Sequence, residues 1–417
     1  MAAPFDDLES RDPEAREAAL FAALREQVAM AQDKAPGFAR HLEGVGAASV
    51  TDRAALARLP VLRKTDLAAM QKADPPFGGL TARAPSTFEH VFQSPGPIYE
   101  PGMSTSSDWW RFGRAFHAAG FGQGDVIHNS FAYHLTPAGH MMESGARAVG
   151  AAVLAGGVGN TEAQATAAAD MGATGYVGTP DFLKTLLDKG AEQGLDLSRI
   201  TKALVGGGPL FPAMRQEYRD RGIACLQNYG TADLGLIAYE TAAPDGSPNE
   251  GMVVEEGAIL EIVRPGTGDP VPDGEVGEVL VTILNPDYPL IRLATGDMSA
   301  VLAGASPCGR TNTRIKGWMG RADQTTKVKG MFVRPEQIAE ILRRHPEALK
   351  ARLTVDRAGD QDVMRLAVET EHPSPDLAQA IGETVQSVLK LRGEVEADVP
   401  GSLPNDGKVI DDIRKFD

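Results

Sequence analysis

Residues 175–209 read GYVGTPDFLKTLLDKGAEQGLDLSRITKALVGGGP. A short apolar run at 175–177 precedes a helical stretch at 180–193, and a second apolar run follows at 203–205. That run breaks into three glycines, Gly206, Gly207 and Gly208, and then Pro209. Strand, helix, strand in this order predicts a parallel sheet covered by helices on both faces. The alternation extends upstream, with apolar runs at 126–128 and 151–154 and a helical stretch at 161–171. The predicted fold is α/β, its large N-terminal domain built on parallel sheet.

Outward from that core the pattern changes. Runs at 258–263, 277–282 and 298–302 are β-rich, with turns at 265–269 and 272–274, so about 250–315 reads as an antiparallel sheet or small β-barrel-like subdomain. After Gly320 a new unit begins. It reads as a strand at 326–333, a helix at 335–344 opened by Pro335, strands at 353–355 and 364–370, a helix at 375–391 and a polar tail. The predicted organisation is a large domain, 1–320, and a small α+β domain, 321–417. Near the start, 13–33 reads as an amphipathic helix, and in LPVLRKTDL (59–67) Thr65 reads as the N-cap of another.

Of 417 residues, 42% are hydrophobic and 23% charged, and the formal net charge is -15. Such a field repels phosphate, so neither a nucleic acid nor an anionic membrane is an expected partner. A phosphate ligand must then be held by local cations, backbone amides or a metal ion. Two cysteines, Cys225 and Cys308, build no disulfide framework and read as free thiols in a reducing cytoplasm. There is no apolar run of the length that spans a membrane and no signal-peptide pattern at the N-terminus. The G-x-x-x-x-G-K-[ST] loop, the H-E-x-x-H pair and the G-x-S-x-G elbow are absent, and the glycines near 156–159 do not complete a dinucleotide fingerprint. The eight histidines do not fall at metal-ligand spacings.

Five segments carry chemistry. The glycines at 206–208 either make a bare turn or leave backbone N–H groups open to a flat or anionic group. QNYGTADLG (227–235) sets an aromatic, a glycine and a carboxylate in a turn, so Tyr229 can stack on a base and Asp233 can hold magnesium. YPLIRLATGD (288–297) is an apolar strand whose end leaves Asp297 exposed, where a carboxylate either accepts both hydroxyls of a ribose or caps its own turn. GRADQTTKVKG (320–330) joins the two domains and is either a hinge or a basic surface hairpin. PNDGK (404–408) ends on Lys408, which in isolation reads as a solvated tail lysine.

Together these segments resemble the adenylate-forming superfamily, and most closely its phenylacetate–coenzyme A ligase family. The resemblance runs from Leu59 to Lys408 and rests on LPVLRKTDL, GNTE (159–162), GGGPLFPAMRQEY (206–218), YPLIRLATGD and RADQTTKVKGMFVRPEQIAEIL (321–342). It implies that ATP activates a small, aromatic or otherwise hydrophobic, carboxylic acid to an acyl-adenylate, which coenzyme A then captures, with Mg2+ as the metal. By position, Gly206, Gly207, Gly208 and Pro209 match the loop bordering adenine and acyl group. Tyr229, Gly230 and Thr231 match the adenine turn, and Asp233 the magnesium carboxylate. Asp297 and Arg321 match the ribose contacts. Asp323 matches the hinge of a mobile small domain, and Lys408 the lysine that touches the α-phosphate. Tyr133 and His134 fall where the acyl pocket is lined. A homodimer is among the partners the resemblance suggests.

The phosphate loop departs from the family. QSPGPIYEPG (93–102) keeps Ser94 and Gly96, but Pro95, Pro97 and Pro101 remove N–H donors, and Glu100 stands where a cation belongs. A carboxylate there repels phosphates unless a metal bridges them. Ala232 replaces a hydroxyl residue, and Gln324 stands where an aspartate is frequent. Two readings follow: a ligase with its own way of holding pyrophosphate, or a binding protein for AMP, acyl-adenylate or acyl–coenzyme A that does not cleave ATP. Retention of Lys408 favours the first. A carrier-protein thiol could also replace free coenzyme A, because the reacting group is the same.

Overall fold

In the computed structural model, residues 175–209 fold as strand Gly175–Gly178, helix Pro180–Glu192 and strand Lys202–Val205. The helix starts on Pro180, whose fixed φ suits the first turn, and stops before Gly194 at φ +68°. Leu183 and Leu186 are fully buried, each contributing roughly 1.5–3 kcal/mol of apolar burial. The structure describes residues 3–103, 107–208, 210, 212–319, 321–322, 324, 326–358, 361–404 and 409–414.

These strands belong to a nine-stranded sheet. In spatial order it runs Val301–Leu302, Arg314–Ile315, Met252–Val254, Gly235–Tyr239, Ala224–Thr231, Lys202–Val205, Gly175–Gly178, Val126–Asn129 and Ala152–Ala155. The last five are mutually parallel, and the first four are joined antiparallel. Registered rows show why both faces are apolar. Tyr176, Ala203 and Cys225 align and pack with Ala165, Leu183 and Met214 of three helices. The alternate row, Val177, Leu204 and Leu226, packs with Phe116, Met141 and Met142 on the other side. Period-two alternation between two helical layers is the mark of a buried parallel sheet.

The 250–315 stretch does not close into a barrel. Ala258–Val263, Gly277–Ile283 and Leu293–Ser299 form an antiparallel run, extended in parallel by Leu62–Arg63 into an open four-stranded sheet. The remaining strands of that stretch join the nine-stranded sheet instead. Helix Lys64–Ala73 begins one residue before Thr65: Arg63 is the cap, and its N–H donates to Asp66 over 3.1 Å.

The chain divides into two compact units, Met1–Trp318 and Met319–Asp417. In the second, 326–333 is not one strand but a hairpin, Thr326–Val328 and Met331–Val333, turned by Lys329 and Gly330 at positive φ. Ala348–Ala358 and Gln361–Thr370 form a long antiparallel pair. Their inner residues Leu353, Val355, Leu366 and Val368 share a core with Ile338 and Ile341 of helix Pro335–Arg344 and Ile381 and Val385 of helix Pro375–Leu389. The tail read as merely polar contributes strands Glu394–Asp398 and Ile410–Asp412, both parallel additions to this sheet. Both are short and partly charged, so hydrophobic pattern does not reveal them. Among the described residues no helix is long and apolar enough to cross a membrane.

Candidate functional site

The parallel strands end where the glycines begin. A Cβ on Gly206 would lie 2.6 Å from Asn228 Oδ1, so only bare backbone fits there. The Asn228 amide in turn donates to the Val205 carbonyl over 3.0 Å. Gly207 sits at φ +69°, in the left-handed region that favours glycine, and Gly208 is half-buried. Pro209 lies outside the described residues.

One strand along, Ala224–Thr231 carries Tyr229 and Gly230 and then turns into Gly235–Tyr239. The Thr231 hydroxyl accepts the Leu234 N–H over 3.2 Å, which shapes the turn. Gly230 has no room for a side chain, since its Cβ would meet the Gly235 carbonyl at 2.6 Å. Tyr229 is buried, and its hydroxyl donates to Asp297 Oδ2 over 2.9 Å while lying 3.2 Å from Thr295 Oγ1. Trp318 Nε1 donates to the other oxygen, Asp297 Oδ1, over 3.0 Å. The sequence expectation that Asp297 stands exposed at a strand end is overturned. The strand is Leu293–Ser299, Asp297 lies within it, and only 8% of it is accessible. The apolar run before it is loop, because Arg292 takes φ +49° and pairing with Gly277–Ile283 starts at Leu293.

The segment expected as the phosphate loop is a hairpin, His90–Ser94 against Ile98–Gly102, with Ser94 opposite Ile98. Its turn, Pro95, Gly96 and Pro97, offers one backbone N–H in three residues. Glu100 points inward and is 1% exposed. The Ser94 hydroxyl donates to Glu100 Oε1, while Oε2 is buried with no hydrogen-bond partner. Burial first, and the nearby Asp233 carboxylate second, push the Glu100 carboxyl up to about 8, against the opposing pull of Ser94 and Lys64. Near neutrality Glu100 is therefore mostly protonated, and the charge expected from sequence is largely muted.

Asp233 comes to the same neighbourhood from the turn after Thr231. Lys64 Nζ stands 2.8 Å from Asp233 Oδ2 in an ion pair whose carboxylate side is 1% exposed. Asp233 Oδ1 is buried without a hydrogen-bond partner, and so is the Tyr288 hydroxyl. Burial, then the Asp233 and Glu100 carboxylates, push that phenol well above its ordinary value.

Tyr133 and His134 part company. Tyr133 is half-buried, and its hydroxyl accepts the Asn129 amide over 2.8 Å. His134 is exposed. His140 takes the place beside Tyr133, ring centroids 5.1 Å apart and edge-on, and it also meets Phe92 at 5.3 Å and His90 at 4.7 Å. Burial and neighbouring His90 hold the His140 imidazole below its usual value, so it is neutral at pH 7.

In the second unit Arg321 is half-buried. Gln324 Oε1 accepts the Val409 N–H over 2.8 Å and the Ile410 N–H over 3.3 Å, which anchors the chain just after position 408. Asp323 and Lys408 themselves lie outside the described residues.

Lys64, Tyr288, Thr295, Trp318 and His140 were not singled out from sequence. Lys64 stands inside the LPVLRKTDL segment, but nothing in its spacing ties it to Asp233. Tyr288 opens the quoted YPLIRLATGD run, where an apolar reading hides its hydroxyl.

A family model described as AMP-binding enzyme matches residues 109–283. The phenylacetate–coenzyme A ligase of Escherichia coli is 30% identical over 321 residues, covering 73% of this chain and 71% of that protein. The phenylacetate–coenzyme A ligase of Thermus thermophilus is 29% identical over 378 residues, covering 87% and 83%. Among solved structures, a 2-hydroxyisobutyryl-CoA ligase in complex with its acyl-AMP and CoA superposes with a TM-score of 0.82 at 23% identity, covering 98% of this chain and 92% of that one. At that identity the likeness speaks to fold.

Proposed function

This chain belongs to the phenylacetate–coenzyme A ligase family of AMP-binding enzymes, and we propose that it activates a small aromatic carboxylic acid. It is an AMP-forming acid–thiol ligase, using ATP to make an acyl-adenylate and coenzyme A to capture the acyl group.

The observation that carries the site assignment is the meeting of Tyr229 with Asp297. These positions lie far apart in sequence, yet the phenol and the carboxylate share a hydrogen bond at the carboxyl end of the parallel strands, where open α/β sheets bind ligands. In this reading Asp297 takes the ribose hydroxyls, Tyr229 and Gly230 border the adenine, and Gly206, Gly207 and Gly208 let the adenylate approach the backbone. Pro209 extends that loop. Arg321 adds a ribose contact, Asp323 is the hinge, and Lys408 supplies the ammonium for adenylation. Tyr133, with His140 beside it, borders the acyl group.

Asp233 suits magnesium, because it offers a buried carboxylate oxygen that nothing else satisfies. When bound, the ion neutralises charge that builds as the acid's carboxylate meets the α-phosphate. The chain's own part is to exclude water, to orient the acid and to place Lys64 beside Asp233 as a local cation in a protein of net charge -15.

The test is pyrophosphate release with a panel of aryl and short aliphatic acids, followed by thioester formation with coenzyme A. We expect turnover with an arylacetate or benzoate. A folded protein silent across the whole panel overturns the proposal.

A further inference from the structure

We propose that Glu100 is, with Asp233, a carboxylate ligand of the divalent cation that accompanies the nucleotide. The inference rests on reading Asp233 as the magnesium carboxylate and extends it to a residue the family resemblance places in the phosphate loop.

Three oxygen atoms stand unsatisfied in one buried neighbourhood. Glu100 Oε2, Asp233 Oδ1 and the Tyr288 hydroxyl are each shut off from solvent and have no hydrogen-bond partner. Their residues are 1%, 9% and 3% exposed. Lys64, whose ammonium lies 2.8 Å from Asp233 Oδ2, opens the helix Lys64–Ala73, and Gln71 of that helix bonds the backbone of Tyr99, next to Glu100, over 2.7 and 2.8 Å. Buried polar atoms are normally paired, and orphans mark a missing partner. A carboxylate oxygen such as Asp233 Oδ1 only accepts, so its partner is a cation or a donor.

The other oxygens are committed. Glu100 Oε1 accepts from Ser94, and Asp233 Oδ2 pairs with Lys64. Lys64 offsets one carboxylate, so ionising Glu100 as well needs a further positive charge, which a divalent cation supplies. Hard oxygen ligands suit magnesium or manganese, and magnesium typically takes one or two carboxylates, completing its shell with water and phosphate. Tyr288 would offer its unsatisfied hydroxyl to a water on such an ion. The hairpin thus offers a metal ligand where the family resemblance implies a cation.

The test uses the full chain with Mn2+ as probe, free Mn2+ being counted by its electron paramagnetic resonance signal, with neither nucleotide nor acid present. The parent is expected to bind one ion. Glu100→Gln, which keeps the side-chain volume and a partner for Ser94, should weaken binding at least tenfold, as should Asp233→Asn. A second readout leaves both carboxylates intact: Tb3+ emission sensitised through Tyr288 should appear in the parent, fall with added Mg2+, and diminish in Tyr288→Phe. Parent-like Mn2+ affinity in Glu100→Gln overturns the inference, as does a parent that binds no Mn2+ and sensitises no Tb3+. Loss in Asp233→Asn alone would leave the ligase reading standing without Glu100. Silence toward every acid would sink the ligase reading and leave the metal isotherm unaffected.

Discussion

The Tyr229 hydroxyl donates to Asp297 Oδ2 across 2.9 Å, and Trp318 Nε1 holds the opposite oxygen at 3.0 Å. A carboxylate gripped from both sides presents a fixed edge rather than a rotating one. A diol arriving at it meets acceptors already oriented, which lowers the ordering cost of binding.

Tyr229→Phe keeps the ring and removes the donor to Oδ2. A buried hydrogen bond to a charged group contributes about 1.5–3 kcal/mol, and about 1.4 kcal/mol corresponds to tenfold in affinity. The KM for ATP should therefore rise about tenfold, with a smaller change in kcat. Steady-state kinetics at saturating acid checks this, and an unchanged KM contradicts the positioning role.

Lys64→Met should strike both stability and turnover. It leaves the Asp233 carboxylate, 1% exposed, without its ammonium partner. Breaking a fully buried pair costs about 3–5 kcal/mol, but Lys64 is 36% exposed, so solvent screening reduces the expected loss to about 1–2 kcal/mol. Pyrophosphate release should fall by about a hundredfold, the size of effect typical when one preorganised charge is lost. Lys64→Arg should recover part of it. Denaturant midpoints and initial rates on the same preparations separate the two effects.

Arg292 locks the segment that delivers Lys64. Its guanidinium, 1% exposed, pairs with Glu261 at 2.9 Å and donates to the carbonyls of Ala57 at 2.9 Å and Gly268 at 2.7 Å. Leu62 and Arg63 then pair with Leu293 and Ala294, one residue short of Lys64. Arg292→Met strands Glu261 in the interior and should cost about 3–5 kcal/mol, read as a lower urea midpoint with an unchanged slope. Retention of parent stability would contradict the cost assigned to leaving Glu261 unpaired.

Sequence revealed the parallel core because short apolar runs, as at 126–128 and 203–205, alternate with helical stretches, and these runs pair in parallel in the sheet. It marked Gly206 as a position of close approach, and a Cβ there would lie 2.6 Å from Asn228 Oδ1. It could not reveal pairings between distant side chains. Lys64 with Asp233, and Tyr229 with Asp297, are decided by tertiary register that no local period encodes. The state of Glu100 was hidden for the same reason: burial and Asp233 raise its carboxyl, and neither is visible in QSPGPIYEPG. Short edge strands such as Glu394–Asp398 escaped because their charged residues are exposed, three of the five in this one.

Acid stability should depend on Asp125, which ties the start of strand Val126–Asn129 to that of Lys202–Val205. Burial alone would raise this carboxyl. Hydrogen bonds from Lys202 at 2.7 Å, Thr174 at 2.8 Å and the Gly122 N–H at 2.9 Å outweigh it and hold the group below its usual value. A carboxyl depressed in the folded state stabilises fully above its unfolded value of about 4, and that contribution is lost as pH falls through the folded value. Asp125→Asn should therefore lower the urea midpoint at pH 7, with the gap from the parent closing as pH falls below about 4. A gap that persists unchanged at pH 2.5 would assign the effect to shape rather than charge.

Lys408→Ala separates the two half-reactions. Adenylation brings a carboxylate onto the α-phosphate, anion toward anion, and an ammonium at that point stabilises the charge that develops. Thioester formation displaces AMP from a mixed anhydride with a thiolate and does not build that charge. The variant should lose adenylation by about a thousandfold, the scale of one lost transition-state donor, while supplied acyl-adenylate still reacts with coenzyme A within a few-fold of the parent. Gln324 holds the amides of Val409 and Ile410, so Gln324→Ala should loosen the chain beside Lys408 and reproduce the adenylation defect in weaker form. Single-turnover assays starting from ATP and from synthetic acyl-adenylate measure the steps independently. Equal loss in both would mean that Lys408 serves the fold of the second unit rather than phosphoryl chemistry.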